Sequence, residues 1–338
     1  YLEERSAYYI ESAFIRPDID NAKAEIWTQV YNCTSENYSE DDNAGLSLSV
    51  EIVPFNFAGK AYPEERMENL PRTGPGINYY RQEYALPGFA LWEPTAPCLY
   101  KAIVSLFDKD GNLIDQLAQT FGMRKFHMDT ESEDKGSLFF NNRPILLRGA
   151  NDMGHMQLAV CQENWEQLIE DILIAKACNM NYYRFTQRPV QKEIYLYCDM
   201  LGMLNQTDLP LFGRVRRNQF TEAVRQAGEM ERLVRNHPSC IMVSYINEAM
   251  NIEREGRTHR HLGRPELEMF FECCDRVVKL ENPDRVIKRV EGDYDPPTGE
   301  GLSDFHCYNM WYTNHALPIG RLYKNYLPPI RKGWKTGC

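Results

Sequence analysis

Asn247 and Glu248 stand side by side at the end of a short apolar run, Cys240-Ile-Met-Val-Ser-Tyr-Ile246. A carboxyl group there can give and take a proton, and the amide beside it can orient a polar ligand. A run this short and this apolar predicts a strand buried on both faces rather than an ordinary helix. It begins after His237-Pro238, where a helical pattern stops, because proline disfavours the α region in the residue before it. In parallel α/β proteins the chemistry sits just past the carboxyl ends of the strands. The plainer alternative is that Glu248 only charges the turn that follows.

The elements that must position this pair alternate strand, helix, strand from about Ser137 onward. Pro144-Ile-Leu-Leu-Arg-Gly-Ala-Asn151 predicts a strand. Trp165, Leu168, Ile169, Ile172 and Leu173 then recur at helical spacing. Asn181-Tyr-Tyr-Arg-Phe185 and Met203-Leu-Asn-Gln-Thr-Asp208 are the next strands, separated by a helix face of Ile194, Tyr197, Cys198 and Leu201. Ala223, Ala227, Met230 and Val234 lead into the central strand, and Leu267, Phe270, Phe271, Cys274 and Val278 follow it on one helix face. Val286-Ile-Lys-Arg-Val290 and Leu302-Ser-Asp-Phe-His-Cys-Tyr308 complete six strands with crossovers, which means a parallel sheet. No glycine-rich phosphate loop follows any of them. Polar residues close nearly every strand instead: Asn151, Arg184, Asp208, Asn247 with Glu248, Asp293 and His306. A barrel gathers such residues around one mouth. Eight strands need about 250 residues and only about 200 remain here, so an incomplete (β/α)8 TIM barrel is expected.

The first half has a different rhythm. Ala24-Glu-Ile-Trp-Thr-Gln-Val-Tyr31 and Leu46-Ser-Leu-Ser-Val-Glu-Ile-Val53 alternate apolar with polar, the period of a sheet with one wet face. Ala102-Ile-Val-Ser-Leu-Phe107 predicts a hairpin turning at Asp110-Gly111. Evenly spaced strands without a helix pattern predict an immunoglobulin-like β-sandwich, with Trp92 and Tyr100 in its core or at a domain interface. The expected organisation is a sandwich over 1–128, an acidic linker over 129–136 and a TIM-barrel domain over 137–338.

The 338 residues, 43% hydrophobic, suffice for about two domains. A net charge of −10 without a basic block argues against nucleic acid as a partner. No apolar run reaches the roughly 18 residues that a membrane helix needs. Ten cysteines are scattered without metal-ligand spacing, so most are expected to be small apolar core residues rather than a disulfide framework. Asn32-Cys33-Thr34, Asn37-Tyr38-Ser39 and Asn205-Gln206-Thr207 match the glycosylation sequon, too short a pattern to decide the compartment. Periplasmic, secreted and cytoplasmic locations all stay open, as does assembly into a homo-oligomer. The chain opens on Tyr1 without an initiating methionine or signal-peptide pattern, which leads us to expect a longer parent protein.

Several stretches together resemble glycoside hydrolase family 2, the clan of β-galactosidases, β-glucuronidases and β-mannosidases. Leu91-Trp-Glu-Pro-Thr-Ala-Pro-Cys-Leu-Tyr100 and Thr120-Phe-Gly-Met-Arg124 resemble the end of its immunoglobulin-like domain. Asn141-Asn-Arg-Pro-Ile-Leu-Leu-Arg-Gly-Ala-Asn151 resembles its entry into the barrel, and Cys198-Asp-Met-Leu-Gly-Met203 the helix before the third strand. His237-Pro238-Ser239 through Asn247-Glu248 resembles its acid/base signature. The resemblance implies that Glu248 is the general acid/base and that Asn247 bonds the sugar's 2-hydroxyl. It also implies that Arg184 orients the catalytic carboxylates and that His306 and Tyr308 line the sugar site.

The departures from the family pattern matter as well. The resemblance puts the nucleophile, a glutamate, just beyond Cys338, and leads us to expect these residues to be the middle of a longer protein, with the family's amino-terminal jelly-roll domain outside them. Asp152-Met-Gly-His155 stands where many β-galactosidases have a histidine-rich run, and Asn205-Gln-Thr-Asp208 is closer to the β-mannosidase side. His155 could contact sugar or make ordinary loop hydrogen bonds. Asp208 could cap a helix or support Arg184, and Trp334 could stack on a sugar or pack in the barrel. His259 and His261 fit a solvated basic stretch better than a metal pair. The expectation is a retaining, exo-acting β-glycosidase of β-galactosidase-like, β-mannosidase-like or β-glucuronidase-like specificity, acting on a glycoside or oligosaccharide with no cofactor and no metal. The 338 residues alone are expected to be inactive. The contrasting expectation is a non-catalytic, carbohydrate-binding barrel.

Overall fold

The computed structural model describes residues 4–34, 45–71, 73–131, 136–249, 260–292 and 294. The chain divides into two compact units, the first formed by Tyr1–Lys125 with Asp199–Gly202 and Arg235–Pro238, the second by the remainder.

In the first unit, β1 (Tyr8–Asp18), β2 (Lys23–Asn32) and β5 (Gly76–Ala85) form one antiparallel sheet. β3 (Ser47–Pro54), β4 (Tyr62–Met67), β8 (Tyr100–Phe107) and β9 (Leu113–Phe121) form the other, in the order β4-β3-β8-β9. A minor ladder joins β6 (Trp92–Glu93) to β7 (Ala96–Pro97). Along β2 every second residue is buried, so one face of the ribbon supplies Ala24, Ile26 and Val30 to the core. Val50, Ile52, Ala102, Val104 and Leu106 come from the other sheet, and Tyr100 joins them, while Trp92 is also fully buried. The hairpin between β8 and β9 turns where its sequence predicts. The Asp108 carboxylate accepts from the Asp110 and Asn112 amides at 2.9 and 2.8 Å, and Gly111 takes the left-handed backbone that the turn needs.

The second unit opens with a small antiparallel sheet of β10 (Phe126–Met128), β11 (Leu138–Phe140) and β12 (Arg143–Pro144). A five-stranded parallel sheet follows, ordered β13-β14-β15-β16-β17. Its strands are β13 (Gly149–Asp152), β14 (Tyr182–Phe185), β15 (Leu204–Asp208), β16 (Cys240–Asn247) and β17 (Val286–Glu291). Helices α1 (His155–Cys161), α2 (Trp165–Ala177), α3 (Lys192–Leu201), α4 (Phe220–Val234) and α5 (Arg264–Glu281) make the crossovers. All eight residues of β16 are buried, as its apolar run requires. Sequential parallel neighbours joined by helices give the wall of a TIM barrel. The expected sixth strand, 302–308, lies outside the described residues.

The expected strand over 144–151 is in fact split. Between β12 and β13 the chain is held by a side chain instead of a ladder: Asn181 donates to the Leu146 carbonyl at 3.0 Å and accepts from the Arg148 amide at 2.8 Å. Parallel pairing starts at Gly149, where a β-carbon would lie 1.8 Å from the Tyr182 carbonyl oxygen. Only glycine lets the two strands approach so closely there.

At the amino ends of β16 and β17 a second buried assembly fixes their pairing. Arg285 donates to Glu231 at 2.8 Å, to the Cys240 carbonyl and to the Val234 carbonyl at 3.4 Å, and Asn282 donates to Glu231 at 2.9 Å. Both ionised side chains are at most 1% exposed, which is tolerable only because each has a full set of partners.

The cysteines depart from expectation. Cys198, Cys240 and Cys274 are buried, but Cys33, Cys161 and Cys178 are exposed and Cys98 and Cys273 lie between, so only a minority of the described ones serve as core residues. All eight are free thiols. Among the described residues, no helix is long and apolar enough to cross a membrane.

Candidate active site

The carboxyl ends of β14 to β17 converge on one guanidinium. Arg184, near the end of β14, donates from Nε and Nη2 to a single oxygen of Asp208 at 3.0 and 2.6 Å. The same Nη2 donates to the side-chain oxygen of Asn247 at 2.7 Å. Arginine has only donors, so it fixes the amide of Asn247 with its oxygen toward Arg184. The Asn247 nitrogen makes no hydrogen bond among the described residues and remains available as a donor.

Behind these residues stand groups that the sequence reading passed over. Gln206 donates to the second oxygen of Asp208 at 3.0 Å and also to Glu291, and it accepts from the Tyr182 hydroxyl at 2.5 Å. Lys288 pairs with Glu291 at 2.8 Å, and Arg184 Nη1 lies 3.7 Å from the same carboxylate. Two cations, Arg184 and Lys288, thus face two anions, Asp208 and Glu291, in a cluster whose acids are nearly inaccessible. Burial raises the Asp208 carboxyl above its ordinary range, an effect offset in part by the charge of Arg184 and by hydrogen bonds from Arg184 and Gln206. Burial, with Glu291 and Asp208 adding to it, pushes the Tyr182 hydroxyl well above its usual pKa, so it serves here as a neutral donor.

Parallel register explains why these residues meet. Arg184 is paired with Gln206, Asp208 with Ser244, and Asn247 with Glu291. Strand period 2 puts Gln206 on the face of Asp208 and Tyr182 on the face of Arg184, a signal available from the sequence. Glu291 had a weaker one: it ends β17 one residue beyond the predicted Val290.

Glu248 follows directly and is half-buried. Its φ of 50° lies in the left-handed region, which a non-glycine residue enters only when its surroundings impose it. Its amide donates to the Glu291 carbonyl at 2.7 Å, while the flanking Asn247 exchanges backbone hydrogen bonds with Leu211 and Gly213 at 3.0 and 2.9 Å. These bonds fix the backbone at the strand end, where Glu248 takes its left-handed turn directly after Asn247.

The other expected site residues fare differently. Asn151 is in register with Arg184 but exposed, and no side-chain hydrogen bond among the described residues ties it to the cluster. His155 does not sit in a free loop. It is the first residue of α1, its Nδ1 2.6 Å from Asp152 and its Nε2 3.9 Å from Asp171. The Gly154 and Asp152 turn places it there, with Gly154 at φ 119° and its amide donating to Asp152 at 3.2 Å. Asp208 supports Arg184 rather than capping a helix. Asp293, His306, Tyr308 and Trp334 lie outside the described residues. Among the described residues no cluster of three metal-ligating side chains occurs.

The family model for glycosyl hydrolases family 2 matches residues 8–124, and the model for its TIM barrel domain matches 132–291. Among solved structures, a Bacteroides uniformis β-glucuronidase is 23% identical with a TM-score of 0.66, covering 84% of this chain and 34% of that one. Bacteroides uniformis β-glucuronidase 3 is 18% identical with a TM-score of 0.69, covering 98% of this chain and 38% of that one. A Bacteroides fragilis protein provisionally named a β-galactosidase is 20% identical with a TM-score of 0.65, covering 86% and 41%. This chain therefore spans well under half the length of these relatives. With a sandwich of the family's type followed by strands of its barrel, the chain belongs to glycosyl hydrolase family 2.

Proposed function

We propose that this chain carries the acid/base half of a retaining, exo-acting β-glycosidase. The single observation that supports it most is the arrangement at the end of β16: an amide held by Arg184, its nitrogen left open, followed at once by a carboxylate on a left-handed turn. In this reading Glu248 protonates the glycosidic oxygen and later activates water. Asn247 donates to the sugar's 2-hydroxyl, a contact that strengthens as the transition state forms. Arg184 and Asp208 are positioning residues that keep the amide turned outward. Asn151, His155, His306, Tyr308 and Trp334 are proposed to complete the sugar site. A second carboxylate from a later strand serves as nucleophile, about 5–5.5 Å from Glu248 as retention requires. The sandwich over 1–128 and the barrel over 137–338 are proposed as its domains, and a terminal β-linked galactoside, glucuronide or mannoside as its substrate.

The test is Glu248→Gln in the full-length protein. Hydrolysis of glycosides with poor leaving groups should fall by about 10²–10⁴-fold, with a smaller loss for activated aryl glycosides, which need no protonation. Equal rates for wild type and variant on both substrate types would refute the assignment.

A further inference from the structure

Beyond β15 the chain is tied to the strand end that carries Asn247 and Glu248. Phe212 bridges Asn247 in parallel, and three residues after Gly213, Arg216 bridges His261 in antiparallel sense. The Arg217 amide donates to the Arg260 carbonyl at 3.0 Å and the Leu262 amide to the Val215 carbonyl at 2.9 Å. These backbone bonds bring two separate segments together, and Arg216, Arg217, Asn218, Arg260 and His261 line a pocket of about 390 Å³ between them. Arg217 is engaged by Glu266, with Nη2 2.8 Å from Oε2. Arg216 and Arg260 are exposed, and no carboxylate among the described residues pairs with either.

That imbalance is local. The whole chain has 48 acidic against 38 basic residues, and the Arg184 cluster balances its own charges. Here Arg216 and Arg260, which pair with no carboxylate among the described residues, line one concavity, and a positive patch of this kind favours an anion. Guanidinium forks match the two oxygens of a carboxylate or sulfate, and Asn218 adds a further donor. The pocket falls within the usual size of a small-ligand site, roughly 300–1,000 Å³. From Gly213 to Arg216 the backbone can reach at most about 11 Å, so one oligosaccharide could touch both places.

We propose that this pocket binds the anionic group, a sulfate ester or a carboxylate, of a sugar next to the one held at Asn247 and Glu248, which makes the substrate class an acidic glycan. The identity of the bound molecule as substrate rests on the glycosidase reading, while anion binding itself does not. The overall charge of −10 disfavours nucleic acid as the source of the anion.

The experiment is calorimetric titration of the full-length protein with galactose 6-sulfate, glucuronic acid and, as the neutral control, galactose. At least one acid should bind more tightly than galactose, with an affinity that falls as salt is raised. Combining Arg216→Gln with Arg260→Gln should weaken that binding about tenfold or more, and Arg216→Lys alone should weaken it less, because charge survives but the fork is lost. Melting temperatures close to wild type would show that these exposed substitutions leave the fold intact. Sulfate-selective binding supports a sulfated glycan, and glucuronate-selective binding supports a uronic-acid glycan. Equal binding of all three probes, or an unchanged affinity in the double variant, overturns the proposal. Anion binding without hydrolysis of any aryl glycoside would remove the glycosidase reading alone; hydrolysis without anion binding would remove the pocket alone.

Discussion

Arg184 and Asp208 are joined by two hydrogen bonds to one carboxylate oxygen, at 3.0 and 2.6 Å, with both side chains nearly inaccessible. Neither charge can be left alone there. Asp208→Ala should cost about 3–5 kcal/mol of stability, because it removes the nearest counter-ion of a buried cation. Replacing both by apolar residues of similar size should cost much less, and chemical denaturation of the two singles and the double gives the coupling directly. The pair also has a pH signature. Burial raises the Asp208 pKa, so the folded state holds that proton more tightly than the unfolded chain does. The stability advantage over Asp208→Asn should therefore shrink as pH rises from about 3.9 through the raised value, and stay level above it.

Asn247 offers a cleaner test of function. Asn247→Ala removes both the partner of Arg184 and the open amide nitrogen, while leaving the charges paired. A loss of roughly 1–3 kcal/mol in transition-state binding is expected, or about 5- to 150-fold in kcat/KM. A 2-deoxy substrate should lose much less between wild type and variant, since the hydroxyl that reads the amide is missing. Comparable losses on both substrates would mean that Asn247 acts only through Arg184.

Glu291 joins Lys288, Gln206 and Arg184. Removing its carboxylate in Glu291→Ala should cost about 3–5 kcal/mol, because a buried carboxylate that faces two cations is lost. Glu291→Gln keeps an acceptor for Gln206 and should be milder. Urea denaturation of both variants checks the order.

How much of this was legible without coordinates depended on the kind of signal. The run ending in Asn247 and Glu248 could be read because an acid closing a predominantly apolar run breaks the local pattern. Arg184 and Asp208 could be read for the same reason, as polar residues at strand ends. Gln206 and Tyr182 lie one pleat back, and only a rigorous use of strand period would have exposed them. His155 was misplaced because the left-handed Gly154, which starts α1, resembles any loop glycine in sequence. The interruption before β13 depends on the Asn181 side chain bonding Leu146 and Arg148, residues more than 30 apart from it in sequence, and no local pattern carries it. The cysteines mislead for a related reason: small residues give no periodicity of their own, so their exposure follows whatever element they occupy.

Thiol chemistry makes that last point measurable. Cys33, Cys161 and Cys178 are exposed, whereas burial raises the Cys274 thiol well above its usual pKa. Because the thiolate is the nucleophile, alkylation of the native protein near pH 8 should label the first three within the time that leaves Cys198, Cys240 and Cys274 unmodified. Peptide mapping reads the order, and early labelling of Cys274 would contradict the packing of α5.

Glu231 and Arg285 provide the counterpart to the proposed active site. They form a buried ion pair at the other end of the same two strands, with nothing about them that suggests a ligand. Glu231→Ala leaves Arg285 charged and enclosed, and should cost about 3–5 kcal/mol, the same magnitude as Asp208→Ala. The two variants should differ in activity. With Glu231→Ala, the fraction that remains folded should turn over substrate with kcat and KM close to wild type, since Arg184, Asn247 and Glu248 keep their partners. With Asp208→Ala, kcat should fall even where the protein is fully folded, because Arg184 no longer holds the Asn247 amide in place. Activity normalised to folded protein across a denaturant series separates the two, and an equal fall in kcat for both would show that stability, not positioning, governs this site.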